Sequence, residues 1–381
     1  MKICMLVLNR FTHDTRVRKE ARSLVRADHD VTVWALGDGH LPAQEEIDGF
    51  TVRRKELRLA RSAWRLPGMT LAEQTWATTA ALIRERADVY HAHDANALLQ
   101  AYLAARINRA ALVYDAHELW SGGIARKWTA RLRLAVMQRV EGTLVRRAQG
   151  VITVNESVAQ ELRRLYGISP VVLMNCQEYR PVERNDVLRE ELHIPPEQRI
   201  VIYPGILAPG RGLEHLIRAA PHLDRAVVVL MGKDRLNGRL QSLVSQMGLE
   251  ERILFRAPVP SDEVPRYVAS ADLGVIPTQD VDLSYHYGAG NKLFHYLMAA
   301  IPAAVSDQPE KRRIVETYGV GVVFDEADPR SIAQAINDLL ADRERYEQMC
   351  RNARRAAREE LNWGVEEQKL LRLYRSFEAA G

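Results

Sequence analysis

The sequence predicts an α/β protein made of two doubly wound, Rossmann-like domains facing a cleft, and three observations support this. Short β-rich apolar runs alternate with helical patterns along the whole chain, the mark of parallel sheets assembled from βαβ units. The alternation breaks from Gln177 to Arg199, a polar stretch holding Pro181, Pro195 and Pro196, and then starts afresh. The length, 381 residues, exceeds what a single core usually fills. Ligands of such sheets sit beyond the carboxyl ends of the strands, so two sheets facing by those ends would share one site.

The run Lys2–Leu8 is apolar but short, and no small-residue cleavage site follows before Asn9-Arg10 ends it, so it reads as a buried first strand and not a leader. Behind the polar entry Thr12-His13-Asp14-Thr15, the residues Val17, Ala21, Leu24 and Val25 repeat at helical spacing. Further strands of the first half are expected at Val31–Leu36, Thr51–Arg54, Asp88–His91, Ala111–Asp115, Gly150–Val154 and Val171–Met174. The second series is expected at Ile200–Tyr203, Ala226–Met231, Ile253–Arg256, Leu273–Ile276, Ala303–Val305 and Val320–Phe324. A last helix, from about Val365 to Ala379, carries Leu370, Leu371, Leu373, Tyr374 and Phe377 on a broad apolar surface that must pack on something.

Composition excludes several classes. Lys and Arg number 53 against 49 Asp and Glu, a net charge of +4 that is too slight to argue for nucleic acid. Cys4, Cys176 and Cys350 have no paired spacing and read as reduced thiols. No run of apolar residues is long enough to span a bilayer. The expected location is the cytoplasm, with the inner face of the membrane as the alternative. Between Arg126 and Ala148, the residues Trp128, Leu132, Val136, Val140 and Leu144 recur among Lys127, Arg131, Arg133, Arg139, Arg146 and Arg147. That pattern fits a packed helix with a solvated basic face or one lying on anionic lipid. Arg53, Arg54, Lys55, Arg58, Arg61 and Arg65 add charge to the same half.

Chemistry-bearing residues gather at expected strand ends. HAHD places His91, His93 and Asp94 after one strand, and DAHE places Asp115, His117 and Glu118 after the next. Imidazole beside carboxylate at neighbouring strand ends makes a rim able to bind hydroxyls; His91 is expected to point away, into the packing. His91, His93, His117, His286 and His295 could supply imidazoles to a metal, but no Cys pair or helical H-x-x-x-H accompanies them, and no metal or other cofactor is expected. No G-x-S-x-G elbow occurs.

In the second half, YPGILAPGRGLEHLIRAA is a strand, a loop with Gly205, Gly210 and Gly212, and a helix. The glycines let backbone approach a ligand, and Arg211 brings a permanently charged fork. Further on, GNKLFHYLMAAIPAAVSD opens a helix with Asn291-Lys292 under glycine, which aims free N–H groups and an ammonium at one place. Two cations and a helix N-terminus suit a diphosphate. The glycine loop is not a Walker loop, since no GK[ST] follows.

These residues together resemble the GT-B glycosyltransferases of the large retaining family GT4. The matches run from the first strand to the last helix: DTRVRKEARSL, HAHD, PGI with GRGLEHLIRAA, ASADLGVIP, NKLFHYLMAAIP and GVGVVFDEADP. The resemblance implies an N-terminal acceptor domain, residues 1–180, to which the C-terminal helix 364–381 returns, and a nucleotide-sugar domain, residues 181–363. It implies Arg211 and Lys292 on the donor diphosphate, neighbouring contacts from Asn291 and Leu293, a backbone contact from Val259 to the base, and His117 on a hydroxyl of the donor sugar. His93 and Asp94 would face the acceptor, and Asp14 and Arg16 would border the cleft, with helix capping an equal reading of Asp14. The implied reaction is metal-independent and retains configuration, the leaving phosphate helping to deprotonate the acceptor hydroxyl of a glycan, a lipid-linked saccharide or a small molecule.

The sequence departs from the family where a pair of glutamates is common: Tyr287 and His295 stand there. A histidine can still bond a ribose hydroxyl. The departure keeps a degenerate, non-catalytic partner subunit open, beside a sugar-nucleotide epimerase or phosphorylase on the same architecture.

Overall fold

A computed structural model describes residues 1–56, 67–119 and 128–379, with backbone alone for residues 67–72, 128–134 and 136. The chain divides into two compact units, Met1–Asn175 with Glu366–Gly381, and Cys176–Val365.

The first unit contains β1 (Lys2–Leu6), α1 (Thr15–Arg26), β2 (Asp30–Leu36), β3 (Gln44–Ile47), β4 (Phe50–Lys55), α2 (Pro67–Glu85), β5 (Val89–His93), α3 (Ala95–Asn108), β6 (Ala111–Ala116), α4 (Trp128–Val145), β7 (Gly150–Thr153), α5 (Glu156–Tyr166) and β8 (Val171–Val172). Its eight strands lie in the order β3-β4-β2-β1-β5-β6-β7-β8. Every pair is parallel except the edge pair β3–β4. The central strands β1 and β5 are buried on both faces, which is why they read as unbroken apolar runs and not as an alternation. Strand order reverses between β1 and β5, so a crevice opens at their carboxyl ends.

Two details differ from expectation. β3 was not expected: QEEI at a sheet edge is half-exposed and carries no apolar signal. Its hairpin was nevertheless written in Asp48-Gly49, both at positive φ, the pair that suits a tight two-residue turn. β5 runs two residues beyond the expected end because His91 and His93, though polar, are buried ladder residues.

The second unit contains α6 (Val187–Glu191), β9 (Arg199–Pro204), α7 (Leu213–Ala219), β10 (Ala226–Met231), α8 (Arg239–Gln246), β11 (Ile253–Arg256), α9 (Val264–Val268), β12 (Leu273–Ile276), α10 (Leu283–Tyr287), α11 (Asn291–Met298), β13 (Ala303–Ser306), α12 (Pro309–Tyr318), β14 (Gly321–Phe324), α13 (Pro329–Ala341) and α14 (Arg343–Glu359). Its six-stranded sheet, β11-β10-β9-β12-β13-β14, is parallel throughout and reverses order between β9 and β12. Val201, Tyr203, Val228 and Leu230 of the sheet pack with Leu216 and Ile217 of α7 and Ile332 and Ile336 of α13. Gly274 lets Tyr296 of α11 lie on β12: a Cβ there would come within 2.3 Å of the tyrosine ring.

The last helix, α15 (Trp363–Glu378), joins the first unit from Glu366 onward. Glu366 accepts from the Met174 amide at 2.9 Å, and Tyr374, fully buried, lies 2.9 Å from His91 Nδ1.

Candidate active site

The second unit holds a cavity of about 320 Å3 at the carboxyl ends of β9, β10 and β11 and the start of α11. It is lined by Gly205, Val259, Asn291, Lys292 and His295 among others, which gathers most of the expected donor residues in one place. Two glycines make the room. Gly205 sits at φ 140°, and a Cβ on it would meet Lys292 Cε at 2.9 Å; a Cβ on Gly232 would fall 1.8 Å from the Gly205 carbonyl oxygen. Larger residues would therefore close the cavity or displace the lysine.

Lys292 occupies the first turn of α11 and its Nζ lies 4.5 Å above the centre of the Tyr203 ring. Arg211, on the loop between β9 and α7, stacks 4.8 Å above Tyr285. Its Nε is buried without a hydrogen-bond partner, and among the described residues no carboxylate pairs with either cation. Burial, reinforced by the charges of Arg211 and Lys311, lowers the Lys292 ammonium to about 7. An anion arriving here would relieve that repulsion. No carboxylate is among the residues that line the cavity.

Leu293 departs from its expected role: its side chain is fully buried in the core, and its amide bonds Gly290 at 3.1 Å. Tyr287 ends α10 with its ring edge-on to His286 at 4.7 Å and does not line the cavity, whereas His295 does.

In the first unit, His93, Asp94, Asp115 and His117 converge at the ends of β5 and β6, where His93 and Asp115 are register partners. Asp115 anchors the group. Arg16 reaches its two oxygens with Nε and NH2 at 3.0 and 2.9 Å, and His117 Nε2 lies 3.0 Å from Oδ2. His93 Nδ1 is 3.2 Å from His117 Nε2. Burial alone would depress the His117 imidazole, but the Asp115 carboxylate outweighs it and pushes the group up to about 9. Asp94 accepts from the His117 amide at 3.1 Å, and burial raises its carboxyl to about 6. The Asp94 backbone stands at φ 67° and ψ 161°, a region that non-glycine residues rarely enter and that costs on the order of 1–3 kcal/mol. That strain places its carboxylate beside His117.

Two expectations change here, for Arg16 and His91, while Asp14 takes the capping role that was one of its two readings. Arg16 does not border an open cleft; it is 5% exposed, and its fork is spent on Asp115 and the Leu173 carbonyl. Asp14 caps α1, accepting from the Val17 amide at 3.2 Å, and also holds Asn9. His91 is buried as expected but shares a face with His93, their rings stacked 4.2 Å apart, because residues two apart on a strand point the same way. Glu20, fully buried beside Arg16, was absent from the sequence reading; its place in the apolar stripe of α1, one residue before Ala21, was the available signal.

A model of Glycosyltransferase Family 4 matches residues 14–176, and one of Glycosyl transferases group 1 matches residues 184–356. The uncharacterized glycosyltransferase MJ1607 of Methanocaldococcus jannaschii is 24% identical over 359 residues, which cover 90% of this chain and 88% of that protein. Sucrose-phosphate synthase from Thermosynechococcus elongatus has the same fold with a TM-score of 0.80 at 18% identity, all of both chains being covered. Anabaena Alr3699/HepE in complex with UDP follows with a TM-score of 0.76 at 18% identity, over 99% of this chain and 100% of that one. With one family model on each half and the two doubly wound sheets those families share, the chain belongs to the GT4-like glycosyltransferases of the GT-B fold.

Proposed function

We propose that this glycosyltransferase takes its sugar from a nucleoside diphosphate sugar bound in the second unit and passes it to an acceptor hydroxyl with retention of configuration. The observation that carries the reading is the cavity in which Lys292, without a carboxylate partner, stands over the glycine turn at Gly205 and at the head of α11. Breaking the anomeric bond sends negative charge onto the leaving diphosphate. Lys292 in the cavity lining, the amides opening α11 and Arg211, outside the lining itself, are the groups we assign to stabilise it. Val259 and His295, at other points of the lining, suit the base and ribose. The HepE structure holding UDP is a fold relative, and supports the choice of ligand class only.

In the first unit, His117 and Asp94 offer hydroxyl-binding groups at the switch point of the sheet; His93, expected to face the acceptor, is buried behind them at 3% exposure. Cations at the diphosphate, with no carboxylate in the lining, favour a transfer that needs no metal there. Among acceptors, a lipid-linked saccharide is favoured by the outer face of α3. Leu99, Leu103 and Ile107 line it in the open, and Trp76 of the neighbouring α2 is 77% exposed. Such residues suit the boundary of a lipid layer. The expected basic face of α4 lies largely outside the described side chains; in its described part Val140 is exposed and Leu144 buried. No helix among the described residues is long and apolar enough to cross a membrane.

A thermal-shift screen of nucleotide sugars tests the donor reading, because a ligand that binds only the folded state raises its stability. At least one should stabilise the chain, and Lys292→Ala should abolish the effect. Stabilisation by none of them would favour the non-catalytic partner, turnover of the donor without acceptor an epimerase, and dependence on free phosphate a phosphorylase.

A further inference from the structure

We infer that the first unit holds a divalent transition metal, zinc being the best match, on Glu20 of α1 and on His91 and His93 of β5. The three side chains and Asp115 each offer a ligand atom, and these atoms lie within 4.8 Å of one another, all buried. Glu20 Oε1 and Oε2, His91 Nε2 and His93 Nε2 are buried with no hydrogen-bond partner. Orphaned polar atoms in a protein interior are rare and costly, and here they converge on one point. One ion would satisfy all of them.

The surroundings match what a metal-bound histidine needs at its other nitrogen. His91 Nδ1 lies 2.9 Å from the Tyr374 hydroxyl oxygen, which accepts when that nitrogen carries the proton. His93 Nδ1 lies 3.5 Å from Asp115 Oδ2 and 3.2 Å from His117 Nε2. With Nδ1 of His91 donating to the Tyr374 oxygen and Nδ1 of His93 donating to Asp115, both Nε2 atoms keep their lone pairs for an ion. Arg16 Nε sits 3.0 Å from Glu20 Oε1, but its single hydrogen is donated to Asp115, so the Glu20 carboxylate stays available. Asp115, held by Arg16 and His117, supports the ligands from outside.

Two imidazoles and a carboxylate are ligands zinc accepts at about 2.0–2.2 Å, so the atoms must draw together somewhat on binding. The ion would tie α1 to β5 and fix the His93 ring, and through it the approach to His117. This inference does not rest on the donor reading, because its residues lie in the first unit and the donor cavity in the second.

Tag-free full-length chain, stripped with a chelator and titrated with cobalt, should develop the visible d–d bands of a low-coordinate nitrogen and oxygen site at one equivalent. Zinc should displace the cobalt and raise the melting temperature of the stripped protein. Glu20→Gln and His93→Asn should each weaken cobalt binding at least tenfold. No bands and no zinc-dependent stabilisation of the wild-type chain would overturn the inference, as would bands that survive unchanged in both variants. If a variant fails to fold, the wild-type titration alone decides. None of these readouts involves glycosyl transfer.

Discussion

Lys292 should make donor binding depend on pH in a way that can be calculated. Its ammonium, lowered to about 7 by burial and by Arg211 and Lys311, is half deprotonated near neutrality in the free protein. A diphosphate binds the charged form, and its own charge then lifts the group back toward the ordinary lysine range. Between the two values, each unit of pH above 7 costs about 1.4 kcal/mol of binding, the work of protonating the lysine first. Affinity is therefore nearly flat below pH 6 and falls about tenfold between pH 6 and pH 8. Lys311 is also lowered, to about 8, so its titration must be separated from that of Lys292. Lys292→Arg does so, since a guanidinium stays charged throughout while its neighbours still titrate. Calorimetry with the nucleotide sugar that stabilises the chain most in the thermal-shift screen, at pH 6, 7 and 8 and each in two buffers of different ionisation heat, reads affinity and proton uptake together. The wild type should take up about three quarters of a proton near pH 7.5 through Lys292, an uptake that the arginine variant lacks at this position. Equal profiles for wild type and Lys292→Arg, without uptake, would refute the reasoning.

Other outcomes follow from the same geometry. Gly205→Ala should reduce donor affinity tenfold or more and also lower the melting temperature, because φ 140° strains any L side chain and the new Cβ would meet Lys292 Cε at 2.9 Å; binding and unfolding assays on both proteins check it. Arg16→Met should destabilise the chain by about 3–5 kcal/mol in urea unfolding, since it removes the guanidinium buried between Asp115 and Glu20. Leu99→Glu with Ile107→Glu should cut co-sedimentation with phosphatidylglycerol vesicles at least tenfold; wild-type chain that stays in the supernatant would remove the lipid reading of the α3 face.

Much of the cavity proposed to hold the donor was legible along the chain because it is built from local devices. A glycine turn after a strand and a lysine in the first turn of a helix announce themselves over a few residues, and Gly205, Asn291 and Lys292 do line one cavity. Leu293 could not be placed by the same signals, since one step around a helix separates the cavity from the core. In the first unit the limits were stricter. Arg16 and Asp115, far apart in sequence, meet only because folding brings the first turn of α1 to the carboxyl end of β6, and nothing local shows that the arginine turns inward.

The sequence by itself determined the alternation of strands and helices, the break between two units, and the candidate residues at strand ends, because each depends on period, length and turn chemistry within a short window. Tertiary structure alone decided which polar side chains became buried partners. Glu20, His91, His93 and Asp115 come from three elements, and only the packing that removes water from all of them makes their ionisation and pairing interdependent.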